Sequence, residues 1–209
     1  MIHSISFASC YVYSPCGTCY TSGRSRLMCA LLKAGDEEFL HRYAARVRDV
    51  SAAFPELAGL FTPGSVLIPV PGSTPWAERP RWVAEALARA LAREGLGGTV
   101  WTGLQRVRPV RKSATAQMGR RPTVATHLRS FGVDTGCVPL ADCGLVDDVV
   151  TRGRTLLAAA TVMQEAFPSA RIRAFALVRT MGRIPEVRRL IEPCCGEIRW
   201  WGGDAHREP

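Results

Sequence analysis

One segment constrains the fold of this chain more than any other: Gly144-Leu145-Val146-Asp147-Asp148-Val149-Val150-Thr151-Arg152-Gly153-Arg154-Thr155-Leu156. An apolar run carries two adjacent carboxylates, a short Thr- and Gly-containing turn follows, and a helical pattern then begins. This order describes a buried strand with two acids at its carboxyl end, then a turn, then a helix. In an open α/β sheet, ligands bind at that end of the strands. The turn can present backbone N–H groups, two hydroxyls and a helix N-terminus to one phosphate. The carboxylates stand where two vicinal hydroxyls can donate to them. Together these parts suit a ribose 5-phosphate. A plainer reading, an acid pair opening a loop and a Thr capping a helix, accounts for each part but not for their sequence.

The rest of the chain supplies the sheet that such a segment needs. Ser65 to Val70 and Arg171 to Val178 are short apolar runs that read as buried strands, and Thr99 to Leu104 reads as another. Ser4 to Phe7 alternates briefly before a Ser-, Pro-, Gly- and Cys-rich stretch, so a short strand followed by a turn-rich knuckle is expected. Arg24 to Lys33 reads as a helix closed by Gly35. Asp36-Glu37-Glu38 supplies the acidic first turn of a longer one. Glu78 to Leu91 and Thr155 to Phe167 complete the helices. Strands alternating with helices predict an α/β domain with a largely parallel sheet.

Charge narrows the partners. The 209 residues hold 27 basic and 18 acidic side chains, a formal net charge of +9, which points to an anionic partner. The longest stretches without a charged side chain, Met1 to Gly23 and Leu57 to Ala77, are interrupted by prolines and polar residues, so no transmembrane helix is expected. No basic run precedes an apolar run at the N-terminus, so a cytoplasmic, reducing location is the expectation. The 8 cysteines then call for a role other than disulfides.

Residues 144–156 resemble the phosphoribosyl-pyrophosphate (PRPP) signature of type I phosphoribosyltransferases: a hydrophobic stretch, two acids and Thr-x-Gly-x-Thr. The order of features over most of 10–180 is similar to the ComF-like members of that family. These features are a cysteine knuckle, a Lys-containing segment (Leu31-Leu32-Lys33-Ala34-Gly35), a strand ending Pro69-Val70-Pro71, a helix, a basic loop and the signature. The resemblance implies a Rossmann-like, mainly parallel sheet flanked by helices (residues 35–209), with a small cysteine-rich N-terminal hood (residues 1–34). It implies an Mg²⁺-dependent transfer of ribose 5-phosphate from PRPP to a nitrogenous base or amine, with release of pyrophosphate. Asp147 and Asp148 would hold the ribose hydroxyls, and Thr151, Arg152, Gly153, Arg154 and Thr155 the 5-phosphate. Pro71, Gly72 and Ser73 would form the pyrophosphate loop. Arg152 stands where the family usually has Thr, and Arg154 where a small residue is usual; both add positive charge.

Gly95 to Val133 contains no Asp or Glu and carries seven Lys or Arg residues, among them Arg111, Lys112, Arg120 and Arg121. The resemblance makes this stretch a mobile basic loop over PRPP. A solvated basic face and a groove for single-stranded nucleic acid are competing readings, and a non-catalytic PRPP- or nucleic-acid-binding protein is the alternative to an enzyme. Cys10, Cys16, Cys19 and Cys29 are enough thiolates for one structural zinc, against a set of small buried thiols. A homodimer is left open, and residues 181–209 have no reading.

Overall fold

The apolar runs at 66–69, 142–150 and 171–180 are neighbouring parallel strands of one sheet. The computed structural model describes residues 1–75, 82–111, 121–136, 140–182 and 186–209. In chain order these form β1 (Ser4–Tyr13), α1 (Tyr20–Ala34), α2 (Glu37–Ala53), α3 (Pro55–Ala58), β2 (Val66–Pro69), α4 (Val83–Arg93), β3 (Thr99–Val100), β4 (Leu104–Arg106), α5 (Val124–Leu128), β5 (Phe131–Val133), β6 (Asp142–Val150), α6 (Arg154–Ala166), β7 (Arg171–Thr180), β8 (Ile191–Trp201) and β9 (Asp204–Glu208).

Local chemistry sets the helix boundaries. Gly35 ends α1 in the left-handed conformation at φ 69°, where a side chain would be strained. Asp36 caps α2 by accepting the Phe39 N–H at 2.7 Å, and Glu37 and Glu38 follow in the first turn. The helix expected from Glu78 is observed from Val83; residues 78–81 lie outside the described part. The strand expected over Thr99 to Leu104 divides: β3 stays in the main sheet, whereas β4 leaves it to pair with β5.

The seven-stranded sheet has the order β3-β2-β6-β7-β1-β8-β9. Its first five strands are mutually parallel, and β8 and β9 extend it as an antiparallel hairpin. Helices α1, α2 and α4 cover one face, where Met28, Leu32, Phe39, Val47, Leu87 and Leu91 pack on Leu67, Val146 and Phe175. Helices α5 and α6 cover the other, with Val124, Leu156 and Leu157 against Ile68, Leu145 and Ala174. The fold is therefore the expected helix-flanked, mainly parallel sheet. Among the described residues, no helix is long and apolar enough to cross a membrane.

The topology also locates a crevice. From β2 the chain crosses through α4 to β3 on one side; from β6 it crosses through α6 to β7 on the other. The crossovers diverge between β2 and β6, the switch point at which open α/β sheets accept ligands. Pairing of β6 with β2 stops at Pro69 and Val146, whereas pairing with β7 continues to Val150. The end of β6 that carries Asp147 and Asp148 thus projects past its β2 neighbour.

The N-terminal segment differs from expectation. β1 is ten residues long and lies inside the sheet, parallel to β7 and antiparallel to β8. Residues 4–13 are therefore part of the main body rather than a hood, because both faces of an inner strand are covered by packed side chains.

Candidate active site

Asp147 and Asp148 lie half-buried at the end of β6. Each carboxylate folds back on the strand: Asp147 Oδ1 accepts the Asp148 N–H at 2.8 Å, and Asp148 Oδ1 accepts the Val149 N–H at 2.7 Å. Lys33, one residue before the end of α1, donates from Nζ to Asp148 Oδ2 at 2.8 Å. Burial, reinforced by the neighbouring Asp148 carboxylate, pushes Asp147 up to about 8. Burial opposes the charge on Lys33, but Asp148 outweighs it and raises the lysine above its ordinary value. Among the described residues, the site holds two crowded carboxylates compensated by one ammonium, a place where a further cation or hydroxyl donors would be welcome. Lys33 was legible only as part of the segment before Gly35; its partnership with Asp148 required the fold.

The turn from β6 to α6 carries the residues expected to receive a phosphate. Gly153 sits at the N-terminus of α6 with φ 82°, and a Cβ there would fall 2.6 Å from the Ile198 side chain. Glycine is required on both counts. No side chain caps the helix at Gly153, so the N-terminal amides are not capped from that position. The Thr151 and Thr155 hydroxyls border the turn, the first 3.2 Å from Thr180 Oγ1 and the second 3.5 Å from His127 Nε2.

Arg152 and Arg154 are engaged elsewhere. Both guanidiniums reach Asp204, the first residue of β9: Arg154 through Nε at 2.5 Å and through Nη2, Arg152 through Nη1 at 3.2 Å. Arg154 Nη1 also donates to the Pro122 carbonyl at 3.2 Å. Hydrogen bonding from Arg154 holds Asp204 below the usual carboxylate range. The C-terminal hairpin, which had no sequence reading, therefore packs on the β6–α6 turn through Ile198 and orients its two arginines through Asp204.

Pro71, Gly72 and Ser73 follow β2, the parallel neighbour of β6, and so lie at the same end of the sheet. Arg106 at the end of β4 grips this turn, donating from Nε to the Gly72 carbonyl at 2.7 Å and from Nη2 to the Pro71 carbonyl at 3.0 Å. The Ser73 carbonyl accepts the Val110 N–H at 2.8 Å. An open cleft of about 380 Å³ lies against Gly72, Trp82, Thr102, Gln105 and Arg106; neither aspartate lines it. Of the expected basic-loop residues, Arg111 and Arg121 are exposed, and Lys112 and Arg120 lie outside the described part.

The expected zinc site is not formed. Cys10 is buried within β1 and Cys29 within α1, while Cys16 is exposed. The Cys19 sulfur is the N-cap of α1, accepting the Ser22 N–H at 3.4 Å. Burial pushes the Cys10 and Cys29 thiols up to about 12, which keeps them protonated. No cluster of three or more metal-ligating side chains occurs among the described residues. These thiols behave as small core residues and a helix cap.

No protein-family model matches the chain, and no curated protein sequence matches it. Similar solved structures exist. Adenine phosphoribosyltransferase from Saccharomyces cerevisiae, solved with an imino-altritol bisphosphate and adenine, is 17% identical over 69% of this chain and 68% of its own, with a TM-score of 0.38. A hypoxanthine phosphoribosyltransferase from Staphylococcus aureus is 10% identical over 72% and 70%, with a TM-score of 0.39. The HGPRT-ase of Leishmania tarentolae, solved with GMP, is 18% identical over 72% of each chain, with a TM-score of 0.36.

Proposed function

We propose that this protein binds PRPP in the crevice between β2 and β6 and transfers its ribose 5-phosphate to a nitrogenous acceptor, a nucleobase or an amine, releasing pyrophosphate. The observation that carries this reading is a juxtaposition at the switch point of the sheet. One strand end brings together the Asp147–Asp148 pair and the Gly153 turn into α6, and the Pro71–Ser73 turn follows the neighbouring parallel strand at the same end of the sheet.

The roles follow from the chemistry of the groups. The N-terminal amides of α6, with the Thr151 and Thr155 hydroxyls, receive the 5-phosphate. Asp204 already neutralises part of the charge on Arg152 and Arg154, so these two act mainly by stiffening the turn. Asp147 and Asp148 accept hydrogen bonds from the ribose hydroxyls. They also stabilise the positive charge that grows on the anomeric carbon as its bond to pyrophosphate breaks. The electron pair of that bond leaves with pyrophosphate, the acceptor nitrogen forms the new bond to carbon, and its proton passes to solvent. Crowding keeps Asp147 partly protonated near pH 8, and the arriving positive charge favours its ionised form.

The donor set suits Mg²⁺, which binds through one or two carboxylates together with substrate phosphates rather than in an all-protein cage. Asp147 and Asp148 are the residues that would hold it. When bound, it would neutralise charge on the departing pyrophosphate. The exposed Arg111 and Arg121 are the described cations of the basic stretch that we assign to the leaving group.

Titration with PRPP and Mg²⁺, followed by pyrophosphate release across purines, pyrimidines and simple amines, tests the reading. Saturable binding and acceptor-dependent release are expected. Binding with no release for any acceptor would favour a non-catalytic PRPP sensor, and absence of binding would overturn the assignment.

A further inference from the structure

Resting on the PRPP reading above, we infer that Arg106 and His127 are positioning residues that couple the pyrophosphate end of the crevice to its 5-phosphate end. The relay is internal: Arg106 is 3% exposed and His127 4%. Arg106 belongs to the acid-free stretch that the resemblance makes a mobile basic loop, yet its guanidinium is spent on the protein. It donates to the Gly72 and Pro71 carbonyls, to Ser130 Oγ and, at 3.4 Å, to His127 Nδ1. Its central carbon lies 4.0 Å from the centroid of the Phe131 ring, opposite it in the β4–β5 pair.

The far end of the relay follows from the tautomer. A guanidinium can only donate, so His127 Nδ1 must accept, and the ring proton resides on Nε2. That N–H faces Thr155 Oγ1 at 3.5 Å, in the first turn of α6. Burial, with Arg106 and Arg154 nearby, brings His127 down to about 4, so the ring stays neutral at physiological pH and this proton pattern is fixed. A second tie runs in parallel, from Arg154 Nη1 to the Pro122 carbonyl just before α5, the helix that carries His127. The turn after β2 and the turn after β6 are thus joined by Arg106, the α5 segment and Thr155, besides the sheet itself.

Two subsites that share such a relay should sense one another. Anchoring pyrophosphate oxygens on the Pro71–Ser73 turn fixes the carbonyls that Arg106 holds, and this fixes His127 and the Thr155 hydroxyl. The 3.5 Å contact is loose, and filling either subsite would draw it in. Each ligand then meets a partner subsite already ordered, and thermodynamic reciprocity requires the two effects to be equal.

The experiment measures binding of pyrophosphate and of ribose 5-phosphate, each with Mg²⁺, alone and in the presence of the other, on the full chain. In the unmodified protein each ligand should tighten the other by the same factor, roughly fivefold or more. His127→Phe keeps a ring stacked on Phe131 but removes both ring nitrogens; it should bring the factor close to one while each ligand alone still binds. Arg106→Lys should lower pyrophosphate affinity and the factor together. As a measurement that needs no variant, the amide resonance of Thr155 should move on titration with pyrophosphate alone. A coupling factor of one in the unmodified protein, a factor unchanged in His127→Phe, or an unmoved Thr155 resonance would each overturn the inference while leaving the PRPP reading intact. Failure of the unmodified protein to bind either ligand would instead bring down the PRPP reading, and the inference with it.

Discussion

The acid pair at the end of β6 and the four cysteines of the first thirty residues are both dense clusters of reactive side chains, but only the first remains a cluster in space. Asp147 and Asp148 are adjacent on one strand end, so any geometry of that strand keeps them together. The cysteines fall on three kinds of backbone: Cys10 within a strand, Cys16 in the connection, Cys19 and Cys29 at the start and middle of a helix. A strand advances about 3.3 Å per residue and a helix about 1.5 Å, so such positions separate unless a metal gathers them. The difference is also energetic. The acids are held in a conflict that a ligand can relieve, whereas Cys10 and Cys29 rest in the apolar core.

The largest expected effect breaks the acid pair. Asp147→Asn combined with Asp148→Asn removes two charge-assisted contacts of roughly 1.5–3 kcal/mol each, weakening PRPP binding by about a hundredfold or more. Calorimetric titration checks it, with a circular-dichroism spectrum to show that the variant is folded. Unchanged affinity would place PRPP, if it binds, somewhere other than this crevice.

The next effect concerns stability and has the opposite sign. The folded value of Asp147, about 8, lies above its ordinary 3.8, so the folded state holds the proton more tightly than the unfolded one. The contribution of Asp147 to stability is therefore fully present below about pH 4, is lost as pH rises from about 4 to about 8, and levels off above. Asp147→Asn abolishes this slope and should stabilise the ligand-free protein at pH 8 by on the order of 1–3 kcal/mol, although it impairs binding. Urea titrations across the pH range measure both. A slope that persists in the variant would show that another group controls it.

What could be read in advance divides along the same line. The β6–α6 segment announced its own structure because its chemistry is contiguous: apolar run, acids, Gly turn, helix. Lys33 and Asp204 were not legible as site residues because they reach it from 115 and 50 positions away, through contacts that only the sheet order creates. β1 runs beyond the expected Ser4 to Phe7 because Ser9, Cys10 and Tyr11 open a stretch that reads as a polar knuckle, yet as part of an inner strand they are buried. Arg106 is one of seven cations in an acid-free stretch, and charge does not reveal direction; its β4 position turns it inward onto the Pro71 and Gly72 carbonyls.

A third expectation sharpens the cysteine half of the comparison. If these thiols were zinc ligands, replacing any one of them would cost about the same, since each completes one tetrahedron. As core residues they should differ with burial. Cys10→Ser and Cys29→Ser each place a hydroxyl among apolar neighbours and should cost about 1–3 kcal/mol, whereas Cys16→Ser, at an exposed position, should be nearly neutral. Metal analysis should find close to no zinc, and EDTA should leave the thermal midpoint unchanged. Equal losses at Cys10, Cys16 and Cys29, reversed by added zinc, would restore the metal site.

The smallest effect tests how the acid pair is balanced before a ligand arrives. Lys33 donates to Asp148 from a side chain that is 54% exposed, so solvent screens the pair, and its net worth to stability should be under about 1 kcal/mol. Its effect on titration is more specific. Lys33→Met removes an ammonium that opposes the protonation of Asp147, so the pH at which Asp147 ionises should move further upward. On the proposed reading Asp147 receives the ribose hydroxyls and Mg²⁺ best as a carboxylate, so the acid limb of the PRPP-binding pH profile should shift to higher pH in the variant, while affinity well above that pH changes little. Lys33→Arg keeps the charge and should restore the profile. A uniform loss of affinity at every pH would instead mean that Lys33 touches PRPP itself, making it a direct ligand rather than a counter-charge for Asp148.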